Sequence, residues 1–116
     1  MLKFYCYPRW KTCQKAKAWL SDNGVEFDYI DLVKNPPEEN ELKNLAKLAN
    51  EEIDKLLNKK SKAYKELDVD VNSLSDDDLA KTLINNPKAI KRPIITDGEK
   101  ALIGFDENKI KETFSV

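Results

Sequence analysis

Two cysteines, Cys6 and Cys13, and the complete lack of histidine bound the chemistry open to this sequence. Cysteine–histidine and serine–histidine nucleophile pairs are excluded, and so are histidine-based metal sites. Two thiols also fall short of a four-ligand zinc site. The reactive groups that remain are those thiols, carboxylates, lysines and tyrosines. Cys13 falls in the first turn of the helix read below, where backbone N–H groups and the helix dipole favour a thiolate. Lys11, Lys15 and Lys17 add positive potential, which makes Cys13 a candidate catalytic thiol. The same position also suits a small apolar side chain packed against a strand, and both readings stand. Cys6 ends a strand and would ordinarily be core. A strand end and a helix start can nevertheless bring two Cα atoms within the roughly 4.4 to 6.8 Å a disulfide needs. Cys6 and Cys13 are therefore a redox-disulfide candidate.

The elements that position these groups follow from periodicity. Leu2, Phe4 and Cys6 alternate with Lys3 and Tyr5, which predicts a strand over 2–6 that Pro8 ends. Cys13, Ala16, Trp19 and Leu20 recur at helical spacing, with Thr12 as expected cap and Gly24 as terminator, giving a helix over 12–23. Alternation from Val25 predicts a second strand over 25–31, and strand–helix–strand in so short a span implies a parallel pair. After Asn35-Pro36-Pro37 the pattern turns helical around Leu42 and Leu45, around Ile53 to Leu57, and around Ala63 to Leu67. Ser75 with Asp78 resembles a capping box, and the helix it opens runs to Asn85-Asn86-Pro87. Ile94-Ile95-Thr96, a turn at Asp97-Gly98, and Ala101-Leu102-Ile103 read as a hairpin. A last helix covers about 107–114, with Ile110 and Phe114 facing inward.

At 116 residues the chain suits one domain with one modest core. Apolar residues make up 41% and charged ones 35%, an ordinary globular balance, and the net charge of −1 offers no field for nucleic acid or an anionic membrane. The run Lys59-Lys60-Ser61-Lys62 is offset by Glu51, Glu52, Asp54 and Glu66 and reads as a solvated face. No stretch approaches the roughly 18 to 20 apolar residues that span a bilayer, and no signal peptide is visible. A cytoplasmic location, with both thiols free at rest, is the expectation.

The segment from Phe4 to Leu20, FYCYPRWKTCQKAKAWL, resembles the strand, active-site loop and first helix of the arsenate reductase/Spx family. Further agreement comes from Lys60 to Leu67, Val69 to Leu74, Asn86-Pro87, Lys91 to Ile95, and Ile103-Gly104-Phe105. The resemblance implies an α/β fold: a thioredoxin-like, glutaredoxin-type mixed four-stranded sheet with a central helical insertion. The core would lie at about 1–34 and 88–116 and the insert at about 38–86, in a single domain. A cis proline is implied at Pro93, and a pocket bordered by Pro8, Arg9, Trp10, Lys11, Thr12 and Pro93.

The departures from the family are as informative. The loop's Cys-x-x-Cys reads Trp10-Lys11-Thr12-Cys13, so an indole stands where the reductases keep their attacking cysteine. Of the arginines that hold the oxyanion, Arg92 matches one. Asn58 replaces another, and no arginine lies near Gly104-Phe105-Asp106. Lysine does not reproduce the planar two-pronged grip of arginine. The expectation is a family member that is not a competent arsenate reductase, with residual thiol chemistry at Cys13, supported by Arg92 and with glutathione as reductant. The alternative is an Spx-like transcriptional regulator that binds the C-terminal domain of the RNA polymerase α subunit without the Cys-x-x-Cys switch. In those regulators the glycine at the polymerase contact falls near Glu52 here. Trp10 is then either a partner anchor or a plug in the vacated site. The expected partners are that polymerase domain, or a small thiol with glutaredoxin. No metal, nucleic acid or membrane is expected, and the chain is expected to be monomeric.

Overall fold

A computed structural model describes residues 2–67 and 70–115; Val69 of the regulator-like run lies outside them, as do Met1 and Val116 at the ends of the expected domain. The chain runs β1 (Leu2–Cys6), α1 (Lys11–Asp22), β2 (Phe27–Asp31), α2 (Glu39–Leu48), a 3-10 turn at Ile53–Leu56, and α3 (Lys62–Lys65). It continues through a 3-10 turn at Val71–Ser73, α4 (Asp76–Asn85), a third such turn at Pro87–Ala89, β3 (Ile94–Thr96), β4 (Ala101–Ile103) and α5 (Glu107–Phe114).

The sheet order is β2-β1-β3-β4. β1 is central: Phe4 pairs with Tyr29 of the parallel β2 and with Ile95 of the antiparallel β3. β3 and β4 form the hairpin, Ile94 facing Ile103. The alternation of β1 divides the core by face, as a strand's period of two requires. Leu2, Phe4 and Cys6 point to a layer made with Cys13, Ala16 and Leu20 of α1 and Ile110 of α5. Tyr5 points the other way, toward Leu42 and Leu45 of α2 and Leu79 and Leu83 of α4. The helical insert thus covers one face of the sheet, and α1 with α5 the other.

Most element boundaries match the sequence reading, with three differences. β2 begins at Phe27, two residues later than the alternation from Val25 implies, because Val25 donates its N–H to the Leu20 carbonyl at 2.9 Å in the turn that closes α1. Gly24 takes φ +69 in that turn, a conformation glycine adopts without a Cβ penalty. The Ile53–Leu57 segment forms a 3-10 turn and not an α-helix. Thr12 is not the cap of α1: the helix starts one residue earlier, at Lys11, and Trp10 holds the N-cap position in extended geometry with no side-chain cap bond. Ser75 does cap α4, accepting from the Asp78 N–H at 3.2 Å. Among the described residues no helix is long and apolar enough to cross a membrane.

Candidate functional site

The end of β1 and the start of α1 meet at a short loop, Tyr7 to Trp10, held from within. Trp10 donates its N–H to the Tyr7 carbonyl at 3.2 Å, closing a tight turn over Pro8 and Arg9. Gln14, one turn into α1, reaches back and donates from Nε2 to the Pro8 carbonyl at 2.9 Å. Beneath this loop Cys6 and Cys13 are joined by a disulfide, with Cα atoms 5.9 Å apart. The pair lies in the layer between β1 and α1, Cys6 fully buried and Cys13 1% exposed. The expectation of free thiols is therefore corrected, since the strand end and the helix start face each other across the interior at bonding range. A sulfur buried in that layer is also no open nucleophile. The Cys13 sulfur keeps one polar partner: the Tyr7 N–H donates to it at 3.2 Å.

Above the disulfide, Trp10 and Arg92 define the outer surface. The Arg92 guanidinium sits against the Trp10 indole, a cation–π pair. Its Nη1 donates to the carbonyls of Lys88 at 3.1 Å and Ile90 at 3.2 Å. Burial pulls the guanidinium down to about 10 from its usual value, which leaves it cationic at neutral pH. One nitrogen of the fork is thus committed to the backbone, and the indole packs against the guanidinium. Tyr7 packs edge-on against Trp10 with ring centroids 4.6 Å apart, and Lys88 Nζ lies 5.8 Å over the Tyr7 ring. A cleft of about 350 Å³ opens beside this stack, lined by Trp10, Ser61, Lys62, Glu66, Lys88 and Arg92 among others. Glu66 is the acidic group of that lining and sits 3.8 Å from Lys62 Nζ.

Of the pocket residues expected from sequence, only Trp10 and, with it, Arg92 line this cleft. Pro8, Arg9, Lys11 and Thr12 are exposed and lie outside its lining, because the turn carries the first two outward and the helix start turns the others to solvent. Pro93 follows a cis peptide bond from Arg92, as implied, but is buried beneath the site and forms none of its wall. Trp19 is half-buried against Phe105, with centroids 6.2 Å apart. Tyr7, Gln14 and Lys88 were not singled out by sequence reasoning. The Tyr7 contact to sulfur comes from its backbone and carries no residue-type signal, whereas the position of Gln14 one turn after the loop could have been noticed. Glu52 lines a different cleft of about 400 Å³, between α2 and the start of α4, with Lys43, Lys47, Glu51 and Asp76.

A mixed four-stranded sheet whose central strand leads through a loop into α1, with a cis proline opposite that loop, defines a thioredoxin-like protein. The chain belongs to the ArsC family, whose model matches residues 5–113. It is similar to the uncharacterized protein YusI of Bacillus subtilis, at 36% identity over 98% of each chain. It is also similar to the global transcriptional regulator Spx of Streptococcus pyogenes, at 32% identity over 99% of this chain and 86% of the relative. Among solved structures, SACOL0876 of Staphylococcus aureus superimposes with a TM-score of 0.84 at 38% identity, covering 97% of both chains.

Proposed function

We propose that this chain is a regulator-type member of the ArsC family that works in the cytoplasm by contacting another protein and does not turn over arsenate. The observation that carries the reading is Trp10. By the family resemblance it stands where the reductases present a cysteine, and its ring packs against the guanidinium of Arg92, the one arginine that resemblance matches to their oxyanion grip. No exposed sulfur remains at the site, since Cys13 is buried and bonded to Cys6. An enzyme of that kind needs an accessible thiolate and free arginine forks; a contact surface needs neither. Half-buried aromatics beside cations are the residue types that anchor protein interfaces, and Tyr7, Trp10, Lys88 and Arg92 form such a group.

The partner in this reading is the C-terminal domain of the RNA polymerase α subunit, by analogy with Spx. Because Glu52 replaces the small residue of the regulators, the contact must accommodate a carboxylate. A pull-down with that domain tests the reading. Binding at tens of micromolar or tighter is expected, with Trp10→Ala weakening it at least several-fold, and no detectable binding overturns it. An arsenate turnover assay with glutathione and glutaredoxin is the second check, and clear turnover would show that the indole does not block the chemistry.

A small-thiol oxidoreductase is the competing reading, favoured by the Tyr7 N–H on the Cys13 sulfur at the start of α1. In that case reduced Cys13 would react with glutathione while Arg92 held a carboxylate. A reduced Cys13 titrating near the ordinary thiol value of about 8.5 and inert to alkylation at neutral pH removes it.

A further inference from the structure

We propose that Cys6 and Cys13 form a peroxide-responsive dithiol–disulfide couple, with Cys13 as the thiolate that meets the oxidant and Cys6 as the resolving thiol. The two sulfurs share a bond and one apolar layer, and they differ in the backbone groups that reach them. Cys13 is the third residue of α1, where free backbone N–H groups concentrate positive potential, and its sulfur accepts a hydrogen bond from the Tyr7 N–H at 3.2 Å. Exposed Lys11 is the first residue of the same helix. Cys6 lies at the end of β1 in the apolar layer with Phe4, Leu20 and Ile95. That geometry assigns the reacting sulfur to Cys13 and the resolving sulfur to Cys6.

Burial selects the oxidant. With Cys6 fully buried and Cys13 1% exposed, a protein disulfide has no approach, while a small neutral peroxide needs only a brief opening of the Tyr7–Trp10 loop. The Cys13 thiolate attacks the O–O bond of hydrogen peroxide, giving Cys13 sulfenic acid and hydroxide. The Cys6 sulfur then attacks the sulfenic sulfur and expels a second hydroxide, which the Cys6 proton converts to water. Two electrons pass from the pair to peroxide, and a small dithiol restores both thiols. The bond closes a ring that contains the loop, so the oxidised state holds Trp10 over Arg92 and the reduced state releases it. Only this last consequence rests on the contact-surface reading; the thiol chemistry does not.

The test uses the full chain reduced with a dithiol, freed of reductant and exposed to a few equivalents of hydrogen peroxide, with thiols counted by alkylation and mass spectrometry. The expected result is loss of two thiols per chain, formation of an intramolecular peptide link between Cys6 and Cys13, and a changed Trp10 emission in a Trp19→Phe background. In Cys6→Ala the sulfenic acid should persist on Cys13 and take a dimedone label, whereas Cys13→Ala should stay unlabelled. The proposal fails if the native chain keeps both thiols, if oxidation yields only dimers, or if Cys6 in Cys13→Ala is labelled as fast as Cys13 in the other variant. Should either variant misfold, the thiol count and cross-link of the native chain still decide it. Absent polymerase binding would leave these counts unchanged, so the two readings fail separately.

Discussion

Reducing the Cys6–Cys13 bond should cost the fold about 2.4 kcal/mol. The estimate follows from the sequence separation of seven between the bonded residues, which in the chain-entropy treatment removes about 8 cal/mol/K from the unfolded ensemble, or about 2.4 kcal/mol at 25 °C. Nothing in the native state offsets this strongly. Both side chains lie in an apolar layer, and free cysteine is itself at home there as a small apolar group. For a domain of this length the corresponding fall in melting temperature is roughly 10 °C. Urea unfolding with and without a phosphine reductant measures it, and the Cys6→Ala/Cys13→Ala double variant serves as the control in which reductant should do nothing. An unfolding free energy that changes by less than about 0.5 kcal/mol, or equally in the double variant, would refute the idea that this bond ties β1 to α1 in the folded chain.

Tyr29 has a hydroxyl that is buried with no hydrogen-bond partner, so Tyr29→Phe should raise stability by about 1 kcal/mol, read as a higher melting temperature. High pH should destabilise the protein through two tyrosines. Burial and then the Glu41 hydrogen bond, accepted from the Tyr5 hydroxyl at 2.5 Å, push Tyr5 upward, while burial and then Asp31 push Tyr29 up to about 12. Both contributions are complete below the unfolded value of about 10 and are lost as pH rises beyond it, because the unfolded chain ionises first. Urea midpoints measured from pH 8 upward should therefore be level to about 10 and then fall, less so in Tyr29→Phe. Finally, Trp10→Cys gives the loop a Cys-x-x-Cys, yet on the proposed reading arsenate turnover should stay undetectable, because Asn58 and Gly104-Phe105-Asp106 offer no arginine to grip an oxyanion.

The sheet was legible because its strands alternate cleanly, and the division of the core by the two faces of β1 could be read directly from Leu2, Phe4 and Cys6 against Tyr5. Ser75 announced α4 through its own side chain. Thr12 misled for a related reason: its hydroxyl is a good cap in principle, but the turn from Tyr7 to Trp10 enters the helix one residue too early to use it. The pocket was half legible. The family resemblance pointed to Trp10 and Arg92, while the exclusion of Arg9, Lys11 and Thr12 depended on the direction in which a four-residue turn leaves the strand, which no local pattern encodes. Lys62 and Lys88 reach the cleft from elements remote in sequence, so nothing short of the packed insert could have placed them beside Trp10.

The position of the thiol pair changes what a disulfide can do in this fold. A bond between positions 10 and 13 would join the N-cap to the third residue of α1, within one helical turn whose backbone is already fixed by hydrogen bonds. It would constrain little beyond that turn. A bond between Cys6 and Cys13 spans the whole connection from strand to helix, and so it encloses the Tyr7–Trp10 segment that joins β1 to α1. Both sulfurs lie inward, shielded from large partners, and the half-buried Trp10 stands at the loop's end. Trp10 lies inside the ring that the bond closes, four residues from Cys6 and three from Cys13, whereas Arg92 meets it only through the side-chain contact with Trp10.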